Sequence, residues 1–337
     1  MLLIDGTFIN SGGGKVLLDT LIEGLVSKST DFTLLLDQRC ESSEYKNTPY
    51  GVIRVRGSYF ARLAVYRKLK DKITSVFCLG NFAPPIKLDA HVTTYFHNVL
   101  ILDLGKYSNI VLKTKVWLRK RLFKMQSENS DVWMVQTDVV KDLLINRSSI
   151  NEGKIKVRPF YRIPRVISSN KQGKMFVYVS SGAPHKNHHR LLDAWQEFER
   201  ENSSYTLHLT VGPEFQNLSN KINNLISKGL NIVNHGHLEI EKIWDLYHSA
   251  EYLIYPSLKE SFGLPLIEAT HCNCKVLGSD LPYLYQVVEP SDSFDPLNVE
   301  SIRDSLLRAT YSDLPKSHLQ VHNSLDLLVE EILPVKP

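Results

Sequence analysis

The stretch Pro256-Ser257-Leu258-Lys259-Glu260-Ser261-Phe262-Gly263-Leu264-Pro265-Leu266-Ile267-Glu268-Ala269 decides how this chain is read. It follows a short apolar run, Tyr252–Tyr255, that predicts a strand. Pro265 suits the first position of a helix, where its missing N–H would be unpaired in any case. Glu260 then falls in the loop before that helix, and Glu268 within about its first turn. The N–H groups of Gly263 and Leu264 are left free to receive a phosphate. Two carboxylates eight positions apart straddle that anion site, and each accepts paired hydroxyls from a sugar ring or a ribose. A favourable interaction with the helix dipole accounts for Glu268 taken by itself. It does not account for the whole Glu-Ser-Phe-Gly-Leu-Pro-x-x-Glu-Ala string.

On both sides of this stretch, apolar runs alternate with helical periodicity. The second half of the chain predicts strands at Met175–Ser180, Thr206–Val211, Asn231–Asn234, Tyr252–Tyr255 and Lys275–Gly278, with helices near 187–200, 215–229, 239–249, 264–273 and 298–311. Leu191, Leu192, Trp195 and Phe198 recur at helical spacing and mark one buried face. The first half predicts strands at Leu2–Asp5, Thr33–Asp37, Gly51–Val55, Ser75–Leu79, His91–Phe96 and Val132–Gln136, with a helix from the first glycine turn to about Val26. Such alternation implies α/β domains with doubly wound parallel sheets. The pattern breaks near 160–173, at Pro159, Pro164, Ser168, Ser169, Asn170 and Gly173, so two Rossmann-like domains are expected, 1–165 and 166–337, facing across a cleft. Ligands in open parallel sheets bind beyond the carboxyl ends of the strands.

The chain's 337 residues suit two domains, and 43% hydrophobic with 23% charged residues argues against disorder. No run of 18 apolar residues is present, and the N-terminal MLLIDGTFINSGGG lacks a basic region, so neither a transmembrane helix nor a signal peptide is expected. Cys40, Cys78, Cys272 and Cys274 are too few and scattered for a disulfide framework, and the last two lack a second ligand pair at zinc spacing. Buried thiols in a reducing cytoplasm are expected.

Charge divides the chain. Residues 1–165 carry 26 Lys and Arg against 15 Asp and Glu, a balance of +11, while 166–337 carry 14 against 21, a balance of −7. One basic cluster comprises Arg54, Arg56, Arg62, Arg67, Lys68, Lys70 and Lys72 among Tyr59, Phe60, Leu63, Val65, Tyr66 and Leu69. Another comprises Lys113, Lys115, Arg119, Lys120, Arg121 and Lys124 around Trp117, Leu118, Leu122 and Phe123. Basic helices with aromatic neighbours sit on anionic lipid. The same pattern also arises when the apolar residues face a core and the cations face water. No helix-turn-helix, zinc-finger or RNP pattern is present, so nucleic acid is not the expected partner.

Two further turns lie between a strand and a helix. Ser11-Gly12-Gly13-Gly14-Lys15 offers backbone amides to an anion, but Val16 and the spacing exclude a Walker A loop, and a plain tight turn accounts for it equally well. In Ser180-Ser181-Gly182-Ala183-Pro184-His185-Lys186-Asn187, a cation at Lys186 would neutralise a diphosphate leaving group, unless it is a solvated surface lysine.

The Glu260-to-Glu268 string resembles the hallmark of the retaining GT-B glycosyltransferases of family 4, E-G-F-G-L-P-x-x-E-A preceded by P-S, with Ser261 in place of the usual glycine. His235-Gly236-His237-Leu238, Lys275-Val276-Leu277-Gly278-Ser279-Asp280 and Phe294-Asp295-Pro296 resemble further segments of that family. Gly80-Asn81 and Tyr95-Phe96-His97-Asn98 resemble first-domain elements of its bacterial polysaccharide members. The resemblance implies that Glu268 binds ribose hydroxyls and that Glu260 contacts the transferred sugar with backbone groups of Phe262, Gly263 and Leu264. It places Lys186 with Gly13 and Gly14 on the diphosphate, backbone near Leu238 by the base, and His97 by the sugar's reacting face. It departs from the family in lacking an arginine shortly before Lys186.

The implied reaction moves a hexosyl unit from a UDP- or GDP-sugar to an acceptor hydroxyl with retention of configuration, needing neither metal nor cofactor. The basic first half favours a saccharide acceptor on a polyprenyl diphosphate at the inner face of the inner membrane, in lipopolysaccharide or O-antigen assembly. Two alternatives are a sugar-nucleotide epimerase of the same architecture and a non-catalytic basic protein that binds membrane surfaces.

Overall fold

The computed structural model describes residues 1–40, 45, 48–102, 110–148, 150–165 and 171–333. They form two units. The first takes residues 1–162 and the chain from His322 onward, and the second takes residues 163–321. The division falls close to the expected 165/166, but the segment after His322 groups with the first unit, not with the second as expected. Ser168, Ser169 and Asn170 of the expected junction lie outside the described residues.

Among the described residues, the first unit has seven strands: β1 (Leu2–Gly6), β2 (Phe32–Asp37), β3 (Gly51–Val55), β4 (Ser75–Cys78), β5 (His91–Phe96), β6 (Val132–Val135) and β7 (Ile155–Val157). Every pairing is parallel, in the order 3-2-1-4-5-6-7. The central β1 and β4 are buried along their whole length, which is why they read as continuous apolar runs and not as alternating ones. Helices α1 (Gly12–Ser27), α2 (Tyr59–Leu69), α3 (Ile110–Ser127) and α4 (Asp138–Arg147) make the crossovers. Ser58 and Thr137 cap α2 and α4 with their hydroxyls.

The second unit repeats the plan. Strands β8 (Gln172–Tyr178), β9 (Thr206–Leu209), β10 (Ile232–Asn234), β11 (Ala250–Tyr255), β12 (Lys275–Ser279) and β14 (Asp292–Phe294) pair in parallel, in the order 10-9-8-11-12-14. A short antiparallel pair, β13 (Val288–Glu289) with β15 (His318–Leu319), stands apart. The helices are α5 (His188–Glu199), α6 (Gln216–Ser227), α7 (Ile240–Ser249), α8 (Leu264–His271), α9 (Pro282–Val287) and α10 (Val299–Tyr311). Leu191, Leu192, Trp195 and Phe198 of α5 are fully buried, as their spacing predicts. All four cysteines are buried and free.

Helix α11 (Leu325–Ile332) completes the first unit. Leu328, Val329 and Ile332 are fully buried. The Ser75 hydroxyl donates to the Ile332 carbonyl at 2.9 Å, and Glu331 accepts from Arg158 at 2.7 Å.

Arg62 corrects a reading of the first basic cluster. It is 3% exposed and belongs to the interior. Its Nε donates to Asp5 at 2.7 Å, and its two terminal nitrogens donate to the carbonyls of Ala83 (2.8 Å) and Phe82 (2.9 Å). The Tyr66 hydroxyl donates to the same Asp5 oxygen at 2.7 Å. The pair ties α2 to the end of β1 and to the loop after β4. Asp5→Asn leaves a buried guanidinium without its counter-charge, so we expect a loss of about 3–5 kcal/mol in urea unfolding. Asp193→Asn breaks an exposed pair with Lys221 and should lose less than about 1 kcal/mol.

Candidate functional site

The loops after β8 and β11 leave adjacent strands in the same direction, so they emerge side by side. After β8, a single turn at Pro184–Lys186 precedes α5. After β11, Pro256–Gly263 leads into α8. The Leu258 amide donates to the His185 carbonyl at 2.8 Å, joining the two. Asn187, in the left-handed region at φ 62°, donates its side-chain amide to the carbonyls of Pro256 (3.1 Å) and Pro296 (2.7 Å). The buried Asn187 thus stitches together the loops that follow β8, β11 and β14.

At this junction the Lys186 ammonium lies 2.6 Å from Glu260 Oε1, with the two side chains 15% and 11% exposed. The Tyr255 hydroxyl donates to the same oxygen at 2.8 Å. The His185 imidazole is held below its usual range by burial and by the charge of Lys186. Burial with the same charge pushes His188 down to about 3. Both rings are therefore neutral near pH 7 and add no positive charge beside Lys186.

Gly263 caps α8 at φ 86°, where a side chain would be strained and would also meet Leu266 at 2.9 Å. Pro265 is the second helical residue, not the first as expected. The amides of Gly263 and Leu264 precede the helical hydrogen-bond ladder and find no acceptor within it. Phe262 and Gly263 are buried and Leu264 is half-buried. Glu268 is the fifth residue of α8, one position further in than a helix starting at Pro265 would put it, and only 7% exposed. Burial pushes its carboxyl up to about 7, against a smaller opposing effect of the Tyr247 phenol. Leu238 lies half-buried in the loop after β10, just past Gly236 at φ 65°.

The remaining expected residues lie in the first unit. Gly13 is exposed in the first turn of α1, and Gly14 sits against Ile9 and His97. His97 follows β5 and is half-buried. Lys186 and Glu260 are thus in direct contact, Glu268 shares α8 with the amide-bearing Leu264, and Gly14 and His97 are neighbours. Three residues around these groups carry no signal of a role of their own. Tyr255 reads only as a strand residue. Asn187 and Asn81 lie in segments already singled out, and asparagine's tolerance of the left-handed region just after a strand is what marks them individually. Among the described residues, no group of three His, Cys, Asp or Glu is placed to hold a metal.

Two parallel sheets of Rossmann order define the class: a GT-B fold. A solved structure of WaaG, titled as a glycosyltransferase of lipopolysaccharide biosynthesis, superposes with a TM-score of 0.69 at 16% identity, covering 98% of this chain and 99% of that one. Sucrose-phosphate synthase from Thermosynechococcus elongatus gives 0.70 at 15% identity, covering 92% and 89%. The profile of the family described as Glycosyl transferases group 1 matches residues 160–318. The O-antigen chain mannosyltransferase B of Escherichia coli is 30% identical over 265 residues, 73% of this chain and 68% of the relative. The serotype-specific mannosyltransferase WbdA of E. coli is 28% identical over 195 residues, 55% of this chain, but the match spans only 24% of that longer protein. The chain belongs to the group 1 glycosyl transferases.

Glu268 makes its own prediction. Its carboxyl is raised in the folded protein, so folding favours the protonated form. The stability this contributes is full below about pH 4.5 and is lost as pH rises through about 7. Glu268→Gln removes the dependence. We expect the variant to exceed the parent at pH 8 by up to about 3 kcal/mol in denaturant unfolding, and by little or nothing at pH 4.5.

Proposed function

We propose that this chain transfers a hexosyl unit from a nucleoside-diphosphate sugar, UDP- or GDP-linked, to a saccharide hydroxyl with retention of anomeric configuration. The names of its relatives support mannose as the sugar and O-antigen-type surface polysaccharide as the product. The acceptor is a saccharide carried on a polyprenyl diphosphate at the cytoplasmic face of the inner membrane. The observation that carries the reading is the Lys186–Glu260 pair, closed by Tyr255, beside the amide end of α8.

An ammonium has three donors, so Lys186 holds Glu260 with one and keeps two for phosphate oxygens. Glu260 accepts hydroxyls of the hexose, helped by the backbone of Phe262, Gly263 and Leu264. Glu268, once ionised, accepts the paired ribose hydroxyls. Backbone near Leu238 meets the base, and the amides of Gly13 and Gly14 add donors to the diphosphate. As the bond from anomeric carbon to phosphate oxygen breaks, Lys186 and the amides stabilise the charge that develops on the phosphate. The acceptor hydroxyl attacks from the same face, the new glycosidic bond forms, and the departing phosphate takes the hydroxyl proton. His97 stands near the sugar.

The surface of the first unit supports membrane attachment. Phe60 is 79% exposed, and on α3 Trp117, Leu118 and Met125 face outward at 60%, 52% and 63%. Arg54, Arg56, Arg67, Lys68, Lys70 and Lys72 are exposed as well, and Arg121 stacks over Trp117. The side chains of Lys113, Lys115, Arg119 and Lys120 lie outside the described residues. Among the described residues, no helix is long and apolar enough to cross a membrane.

A thermal-shift screen with UDP, GDP, ADP and their hexose conjugates, followed by transfer assays, tests the reaction. A nucleoside diphosphate should raise Tm, and Glu268→Ala should weaken its binding in calorimetry by tenfold or more. Lys186→Ala should leave binding within a few fold and lower kcat by about a hundredfold. No shift with any of these ligands, or normal turnover in Lys186→Ala, overturns the assignment. Sedimentation with anionic liposomes should show binding that falls steeply between low and high salt. Trp117→Ala with Leu118→Ala should weaken it further, whereas binding indifferent to both leaves the cations as a solvated face.

A further inference from the structure

We propose that Asn81 is a positioning residue that locks the His97 imidazole in one orientation and one tautomer, with its proton on Nδ1, so that the ring braces the Gly12–Gly14 turn and transfers no proton. The proposal rests on the reading of His97 as a neighbour of the transferred sugar.

The backbone demands this asparagine. At Gly80 a Cβ would lie 2.3 Å from the Thr7 carbonyl oxygen, so the chain there passes too close for any side chain. The next residue turns left-handed at φ 67°, a conformation that asparagine tolerates. Asn81 is 5% exposed, and its carboxamide is fully engaged. Oδ1 accepts from the backbone N–H of His97 at 2.8 Å and of Asn98 at 2.9 Å. A backbone N–H only donates, so the amide atom facing these two groups is the oxygen, and the orientation of the carboxamide is settled.

Its other end must then be the NH2 group, which has donors and no acceptor. That nitrogen lies 3.2 Å from His97 Nε2. A donor facing Nε2 requires a lone pair there, so Nε2 carries no proton and the neutral ring carries it on Nδ1. The backbone carbonyls of Leu79 and of His97 itself pull only weakly toward a protonated ring. Nε2 is thereby occupied by the Asn81 carboxamide. What the ring presents is its carbon edge: Cε1 lies 3.3 Å from where a Cβ of Gly14 would stand, with Ile9 Cδ1 at 3.2 Å.

The groups around the ring do nothing to charge it. Tyr95 on β5 stacks at 6.5 Å, with its hydroxyl given to the Arg158 carbonyl. Lys15, beside Gly14 on α1, is paired with Asp19. Burial pushes His97 down to about 4, against the weaker pull of the carbonyls of Leu79 and of His97 itself. Across the range in which an acid or base catalyst would work, the ring stays neutral and its Nε2 stays occupied.

The test uses the full chain with 15N-labelled histidine, with His97→Gln assigning the signal. Two-bond 1H–15N spectra should show His97 as the Nδ1–H tautomer, unchanged from pH 5 to 8. Asn81→Asp keeps an oxygen for both backbone N–H groups but puts a carboxylate against Nε2. It should raise the His97 pKa by about two units or more and introduce an ionisation into the pH profile of kcat. Asn81→Ala should release the ring into mixed tautomers. If that variant fails to fold, Asn81→Asp alone carries the test. An Nε2–H tautomer in the parent, or an Asn81→Asp variant whose His97 titrates as before, overturns the proposal. The expected spectra from a chain that binds no nucleoside diphosphate support the lock and overturn only the transfer reading.

Discussion

An ammonium and a carboxylate held 2.6 Å apart at the mouths of two neighbouring strands are the contact on which the geometry of the candidate site depends. Such a pair is worth little as glue, because taking two charges out of water offsets most of their attraction. Its value is positional. Lys186 comes from the loop after β8 and Glu260 from the loop after β11, so the pair forms only when those strands are adjacent and parallel. The Tyr255 hydroxyl and the Leu258-to-His185 hydrogen bond hold the two loops to one geometry. The sheet order is thus the first determinant of the site, and the side chains are the second.

The electrostatics around that pair are unusually bare. His185 and His188 stand close by and are both neutral, because burial and the lysine's own charge disfavour a second cation. Glu268 is buried with little to satisfy its ionised form. A carboxylate left in that condition destabilises the folded protein once it ionises. In the first unit the opposite holds. Asp5, Arg62 and Tyr66 are buried as deeply, yet each meets a partner. The buried carboxylate of Asp5 is thus paired, whereas Glu268 has only the Tyr247 phenol to favour its ionised form.

Much of this was legible in the sequence, for a physical reason. Strands of a parallel sheet are covered on both faces, so Leu2–Asp5 and Tyr252–Tyr255 stand out as apolar runs, and their predicted limits fall within a few residues of the observed ones. The candidate site was legible where its residues are local, in the string from Glu260 to Glu268. It was not legible where partners are distant in sequence. Arg62 sits among Arg67, Lys68 and Lys70 and reads as one more surface cation, because nothing nearby announces Asp5, 57 positions away. Leu325, Leu328, Val329 and Ile332 show helical spacing, but periodicity does not say which sheet a helix will cover. The strands β13 and β15 are two residues each, too short to carry a pattern.

The return of α11 to the first unit has a consequence for biosynthesis. Its apolar face covers ground beside α1 and β4, laid down roughly 300 and 250 residues earlier. The second unit is a continuous stretch and can close as soon as it leaves the ribosome. The first, though translated earlier, must wait with part of its interior uncovered until the distal helix arrives. Order of synthesis and order of completion are therefore reversed, and the nascent chain carries an unsealed hydrophobic seam for as long as the second unit takes to be made.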